Sequence, residues 1–309
     1  MAAAGLTGGM VLPGNPETSA TLAIPSDDLR QLADHDATPR ILPGRTGPLA
    51  ALDTGGNGPA GTVLLVAGYT GSKEDFAPLL APLAAAGYRV VAIDQRGQYE
   101  SPGPDDPAAY TVEELAGDLV DVAHALRAET GTPHLVGHSF GGLVARAAVL
   151  ADPGAFRSLT LLGSGPARLT GPRVALLEHL GPLLDQGGVE LVQATLEQLA
   201  MTDERAQAVP EPTRRFYAQR FLGNTAAGLR GMADAMTTEP DRVAELAATG
   251  VPVLVAHGEA DDAWSPASQA DMARRLGARH AVVPHAIHSP AVENPPRTLE
   301  VLESFWTSL

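Results

Sequence analysis

Cysteine is absent from the 309 residues. Its absence excludes a disulfide framework, thiolate zinc sites and a cysteine nucleophile. Positive charge is scarce. Lys and Arg number 21 against 36 Asp and Glu, a formal charge of −15. So acidic a chain has no electrostatic footprint for nucleic acid or an anionic membrane. Long apolar runs are missing too. The longest apolar region, Pro78 to Ile93, is interrupted by Pro82, Gly87 and Arg89. It falls short of the roughly 20 apolar residues of a spanning helix. The first Arg is Arg30, so the basic n-region of a secretory signal is not seen and a cytoplasmic, reducing home is expected.

What is present reads as globular: 44% apolar and 18% charged residues, within the range of packed domains. The length fits one large domain or two ordinary ones. A chain of this size buries about three quarters of its unfolded surface and needs no disulfides. Residues 1–38, rich in Ala, Gly, Thr and Pro, read as a loosely ordered arm, with a short helix at Ser26–Ala33 capped by Ser26. Thr62–Ala67 (TVLLVA) and Tyr88–Ile93 (YRVVAI) are continuous apolar runs, as in strands covered on both faces. His134–Gly137, Ser158–Leu162, Val251–Ala256 and His280–Val283 follow, with helical stretches such as Thr111–Arg127 between. This rhythm predicts an α/β class with a mostly parallel central sheet flanked by helices. Residues 167–246 break it. They read as helices at Arg173–Leu184, Val189–Ala200, Pro212–Phe221 and Ala226–Met236. The expected organisation is an arm (1–38), a first part of the α/β core (39–166), an all-helical insert (167–246) and a second part of the core (247–309).

The strongest local signal is Gly137-His138-Ser139-Phe140-Gly141, placed between a strand and the helix Gly142–Leu150. A sharp strand-to-helix turn holds such a serine in a strained backbone, and flanking glycines remove side chains that would clash. The serine then stands at a helix N-terminus, where free N–H groups favour a developing negative charge. A serine hydroxyl needs a base, and the base needs an orienting acid. Two later strands run into candidates. Val251–His257 leads to Gly258-Glu259-Ala260-Asp261-Asp262, and His280–Val283 leads to Pro284-His285-Ala286-Ile287-His288. Both lie at strand C-terminal ends, where open α/β sheets place their sites. The residues alone leave Asp261 and Asp262, and His285 and His288, as competing candidates. His138 reads as a packing residue under the turn, and His257 as structural. A metal site at His257, Asp261 and Asp262 lacks a zinc spacing and a second nearby histidine, so no metal is expected.

Five segments together resemble the α/β-hydrolase fold family with a helical cap, over residues 45–309. They are Ala67-Gly68-Tyr69-Thr70-Gly71-Ser72, Asp94-Gln95-Arg96-Gly97-Gln98-Tyr99-Glu100-Ser101, the serine turn, Gly258-x-x-Asp261 with Pro266, and His288-Ser289-Pro290 with Glu293 and Pro295. The resemblance implies Ser139 as nucleophile, His288 as general base and Asp261 as the acid that orients it. It implies an oxyanion hole from the backbone N–H groups of Tyr69 and Phe140. Trp264, His138 and Thr70 are candidate pocket residues. Met201, Met232, Met236, Phe216, Tyr217 and Phe221 of the insert could face substrate, though most are expected to be core. The chain departs from the family pattern at Ala67, often His, and at Tyr99 and His285, often Gly.

Relatives that open epoxides or remove halides attack with a carboxylate at this turn, and Ser139 excludes that chemistry. The expected reaction is hydrolysis of a carboxylic ester, thioester or lactone through an acyl-enzyme, with no cofactor. Three rivals use the same fold. They are a C–C bond hydrolase, a proline-releasing peptidase drawing on Glu190, Glu197, Glu204 and Glu211 for a substrate amine, and a non-hydrolytic cyclase or ligand-binding member. The expected partner is a small-molecule, mostly apolar acyl substrate, with no nucleic acid and no membrane. A homo-oligomer is left open.

Overall fold

The computed structural model describes residues 30–309. The arm before Arg30, and most of the helix expected at Ser26–Ala33, lie outside the described residues. The described end of the arm forms a single 3-10 turn, Arg30–Leu32.

The fully apolar segments become the sheet centre. Strands β3 (Gly61–Val66) and β4 (Tyr88–Ile93) pair in parallel, and β3 pairs on its other side with β5 (His134–His138). Beyond β5 run β6 (Ser158–Leu162), β7 (Val253–Gly258) and β8 (Arg279–Val283), all parallel. The sheet has eight strands in the order β1-β2-β4-β3-β5-β6-β7-β8. Its first two strands, β1 (Thr38–Pro43) and β2 (Pro48–Asp53), are an antiparallel hairpin at one edge. The sequence reading did not single these out. Pro39, Pro43 and Pro48 obscure the strand pattern; proline is tolerated on an edge strand, as Pro39 and Pro43 are, or as a strand's first residue, as Pro48 is.

Helices cover both faces. Strand β3 is followed by α1 (Ala77–Ala85), β4 by α2 (Val112–Thr130) and β5 by α3 (Phe140–Ala151). After β7 come α9 (Pro266–Leu276), and after β8 the short α10 (Pro290–Glu293) and α11 (Pro295–Trp306), numbered after the insert helices below. One core lies between the sheet and α2 and α3, with Leu64, Leu115, Leu135 and Phe140 buried there. The other lies under α1 and α11, with Leu65, Leu80, Leu302 and Trp306. A buried leucine of this kind contributes about 2 kcal/mol against the exposed state.

Between β6 and β7 the chain makes only helices: α4 (Pro172–Ala200), α5 (Glu204–Ala208), α6 (Glu211–Leu222), α7 (Ala226–Thr238) and α8 (Val243–Ala248). Helix α4 is broken at Gly187 and Gly188, the latter with φ +67°, which divides it into the two expected helices. The fold is thus a mostly parallel sheet flanked by helices, with an all-helical insert between β6 and β7. Helix α8 straddles residue 246 and packs on α3 and α9 of the core. Among the described residues no helix is long and apolar enough to cross a membrane.

Candidate active site

Ser139 connects the end of β5 to the start of α3 with φ +54° and ψ −122°. A non-glycine residue held there is strained by roughly 1–3 kcal/mol, and such strain persists only where the surroundings enforce it. The surroundings are close. A Cβ on Gly137 would collide with the Gly141 carbonyl, and one on Gly141 with the Ala67 carbonyl. The Ser139 N–H donates to the Leu162 carbonyl at 2.9 Å. The hydroxyl is thereby set at the C-terminal edge of the sheet, buried but on a cavity wall.

The later strands deliver the partners. His288 Nε2 lies 2.9 Å from Ser139 Oγ, and Nδ1 lies 3.0 Å from Asp261 Oδ1. With Nδ1–H donating to the carboxylate, Nε2 is free to accept the serine proton. Asp261 also accepts from the Ala263 N–H at 2.9 Å and from Gln269 Nε2 at 2.9 Å. Burial alone would raise its carboxyl pKa, but the His288 charge and these donors hold it below the usual carboxylate range. An acid kept ionised beside an imidazole stabilises the imidazolium that forms when the hydroxyl loses its proton.

The competing candidates separate. Asp262 lies near His288 but pairs with Arg173 of α4, whereas Asp261 bonds the imidazole. The expectation of a solvated or capping role for Asp262 therefore gives way to an ion pair between core and insert. His285 is exposed on the loop, with φ +57° and its N–H on Glu259. His138 is buried, and its Nε2–H donates to the His288 carbonyl at 2.8 Å. Burial and the neighbouring His288 charge push its pKa well below the usual imidazole range, so it stays neutral. His257 faces away, bonded to His280 at 2.9 Å.

Tyr69 follows Gly68, and a Cβ on Gly68 would lie 2.9 Å from the Ser139 Cβ. The Tyr69 backbone thus passes beside the hydroxyl. Phe140 is the first residue of α3, so its N–H has no carbonyl one turn back within the helix. Trp264 lines the cavity while its Nε1–H bonds the Ala167 carbonyl at 3.1 Å. His138 lines the same cavity, and Thr70 a second one.

Two cavities meet at Tyr69. The first is narrow and is lined by Ser139, His288, Asp75, Arg173 and Met236, among others. The second, also narrow, is largely apolar, with Leu177, Leu180, Leu184, Val192, Phe221 and Leu229. The Tyr69 hydroxyl donates to the Leu229 carbonyl at 3.2 Å. Of the insert residues expected as core, Met232 and Tyr217 are buried, whereas Met201 is 74% exposed.

Three contributors, Gln269, Asp75 and Arg173, have no role in the sequence analysis, and Glu293 appears there only as part of a motif. Gln269 steadies Asp261. Glu293 accepts the N–H groups of Ile287 and Ser289, at 2.8 and 2.9 Å, and so brackets His288. Asp75 lines the cavity and accepts from Arg220 at 2.6 Å and Gln31 at 3.0 Å. Arg173 was read only as a helix start. The Glu293 signal was present in its spacing after His288; the other three depend on tertiary approach. Asp261, Asp262 and His288 each place one potential ligand atom within 4.8 Å of the others. Asp261 is bonded to His288, and Asp262 is paired with Arg173.

Comparison with known proteins places the chain in a family. A family model described as "Alpha/beta hydrolase family" matches residues 63–301. A Variovorax paradoxus protein named "Putative carbamate hydrolase RutD" is 38% identical over 220 residues, 68% of this chain and 78% of that protein. A pimeloyl-(acyl-carrier protein) methyl ester esterase from Aeromonas hydrophila is 29% identical over 232 residues, covering 73% and 88%. The solved enol-lactonase of Burkholderia xenovorans LB400 shares the fold with a TM-score of 0.72. It is 21% identical, over 87% of this chain and all of that one.

Proposed function

The chain belongs to the alpha/beta hydrolase family, and from that premise we propose that it is a serine hydrolase acting through an acyl-enzyme on Ser139. The substrate class is a carboxylic ester, thioester or lactone. The observation that carries this reading is the continuous chain from Asp261 through His288 to Ser139, at 3.0 and 2.9 Å.

The steps follow from the geometry. His288 Nε2 takes the Ser139 proton as Oγ attacks the carbonyl, and Asp261 stabilises the resulting imidazolium. The backbone N–H groups of Tyr69 and Phe140 receive the oxyanion, each contributing about 3 kcal/mol to the barrier reduction. His288 returns the proton to the leaving group. Water, activated by the same imidazole, then releases the acid. Leu169, Arg173 and Met236 of the insert lie over Ser139 and act as a cap that limits water. The apolar cavity beyond Tyr69 supports a small acyl substrate with an apolar portion.

Glu190, Glu197, Glu204 and Glu211 are all exposed, and none lines either cavity. These four therefore supply no amine-binding site for the peptidase alternative. The C–C hydrolase and the cyclase remain rivals that use the same residues. The test is a panel of 4-nitrophenyl esters of rising chain length, with a thioester, a lactone, a carbamate and a β-diketone. Wild type is expected to turn over at least one carboxylic ester, and Ser139→Ala none above background. Activity confined to the β-diketone, or retained in Ser139→Ala, would overturn the reading.

A further inference from the structure

Arg173 is the second residue of α4, only 3% exposed, and on the wall of the cavity that holds Ser139 and His288. Its Nη2 donates to Asp262. A guanidinium carries five donors, and this pairing uses one end of it. The Nε is buried with no acceptor among the described residues. Buried donors of this kind nearly always have a partner, supplied by protein, water or ligand.

We propose that Arg173 is a specificity-determining residue that takes a carboxylate of the substrate. The substrate class becomes an acyl compound bearing a second, free carboxylate, such as the half ester of a dicarboxylic acid. This rests on the serine-hydrolase reading above and narrows it. The guanidinium's planar fork matches a carboxylate with two parallel N–H groups. The acid on the cavity wall, Asp75, is matched by Arg220, so it does not compete for the Arg173 donors that Asp262 leaves unused. The apolar cavity on the far side of Tyr69 then takes the carbon chain. One cavity recognises charge and the other bulk, with the reacting carbonyl at Ser139 beside both.

The experiment compares kcat/KM for 4-nitrophenyl hemiglutarate and the neutral 4-nitrophenyl valerate, equal in chain length. Wild type is expected to favour the hemiglutarate by about tenfold or more, since a site built for a polar group rejects the analogue lacking it. Arg173→Gln lowers that ratio about tenfold, mainly through KM, and Asp262→Asn does not lower it. A second readout is protection of Ser139 from a fluorophosphonate: glutarate slows labelling of wild type, and neutral glutaramide does not. A wild-type ratio at or below one, equal losses on both esters in Arg173→Gln, or equal protection by the two glutaryl compounds would overturn the proposal while leaving Ser139 labelled. No labelling of Ser139 at all would overturn the serine-hydrolase reading, and this one with it.

Discussion

The floor and the roof of the cavity are built by different means. The floor is backbone. Ser139, Asp261 and His288 each sit just past a strand, and the parallel register of β5, β7 and β8 carries them to one edge. Glycines let the segments pass at contact distance. The roof is side chain. Arg173 reaches down to Asp262, Arg220 to Asp75, and Tyr217 bonds Gln31 at 2.9 Å from the arm. A floor made of backbone tolerates no shift, because moving a strand breaks its ladder. A roof held by charged side chains can be retuned residue by residue. On the proposed function, the chemistry is fixed below and the substrate is chosen above.

The sharpest probe of that division is a pair of adjacent carboxylates. Asp261 belongs to the floor and Asp262 to the roof. Asp261→Asn is expected to lower kcat by about 10⁴-fold, as loss of an orienting carboxylate does through the wrong imidazole tautomer. Asp262→Asn is expected to cost about tenfold or less. Equal losses on one ester would erase the boundary.

The next effect is on stability. Arg220 is 2% exposed and stacks on Phe216 and Tyr217, with its guanidinium 5.4 and 5.2 Å from their ring centres. Arg220→Met strips the cation from a mostly buried Asp75 and should destabilise by about 3 kcal/mol. Urea denaturation measures it. A loss below about 1 kcal/mol would mean that this ion pair does not hold the roof.

Glu293 tests the floor from behind. Its carboxylate brackets His288 without touching Ser139. Glu293→Gln weakens two charge-assisted hydrogen bonds. It should lower kcat about tenfold, near 1.4 kcal/mol of barrier, with KM little changed. A fall in thermal stability with kcat intact would reduce Glu293 to a structural role. The smallest effect is at the rim. His285 is exposed at φ +57°, where glycine is unstrained. His285→Gly should stabilise by about 0.5 kcal/mol, the left-handed penalty less the added chain entropy. A destabilisation would show that the ring makes contacts that offset the strain.

The floor was legible in the sequence because local rules write it. Apolar runs give the strands, Gly-His-Ser-Phe-Gly gives the strained turn, and the order Ser, Asp, His follows the strands. The positions of Tyr99 and His285 were legible as departures from the family pattern. The structure gives the physical content: both take positive φ, +41° and +57°, where glycine would be relaxed. The roof was not legible. Arg173 and Asp262 are 89 residues apart, and Arg220 and Asp75 are 145 apart. No periodicity or spacing links such pairs, since only the folded chain brings them together. The edge hairpin was hidden for a different reason, its prolines masking strands that the sheet edge tolerates.

If Asp261, His288 and Ser139 form one working unit, fluorophosphonate treatment of wild type and of His288→Ala, read by intact mass and peptide mapping, tests it. One adduct is expected, on Ser139, with its loss in the histidine variant. A folded wild-type protein left unmodified at Ser139, or labelled equally without His288, would contradict it.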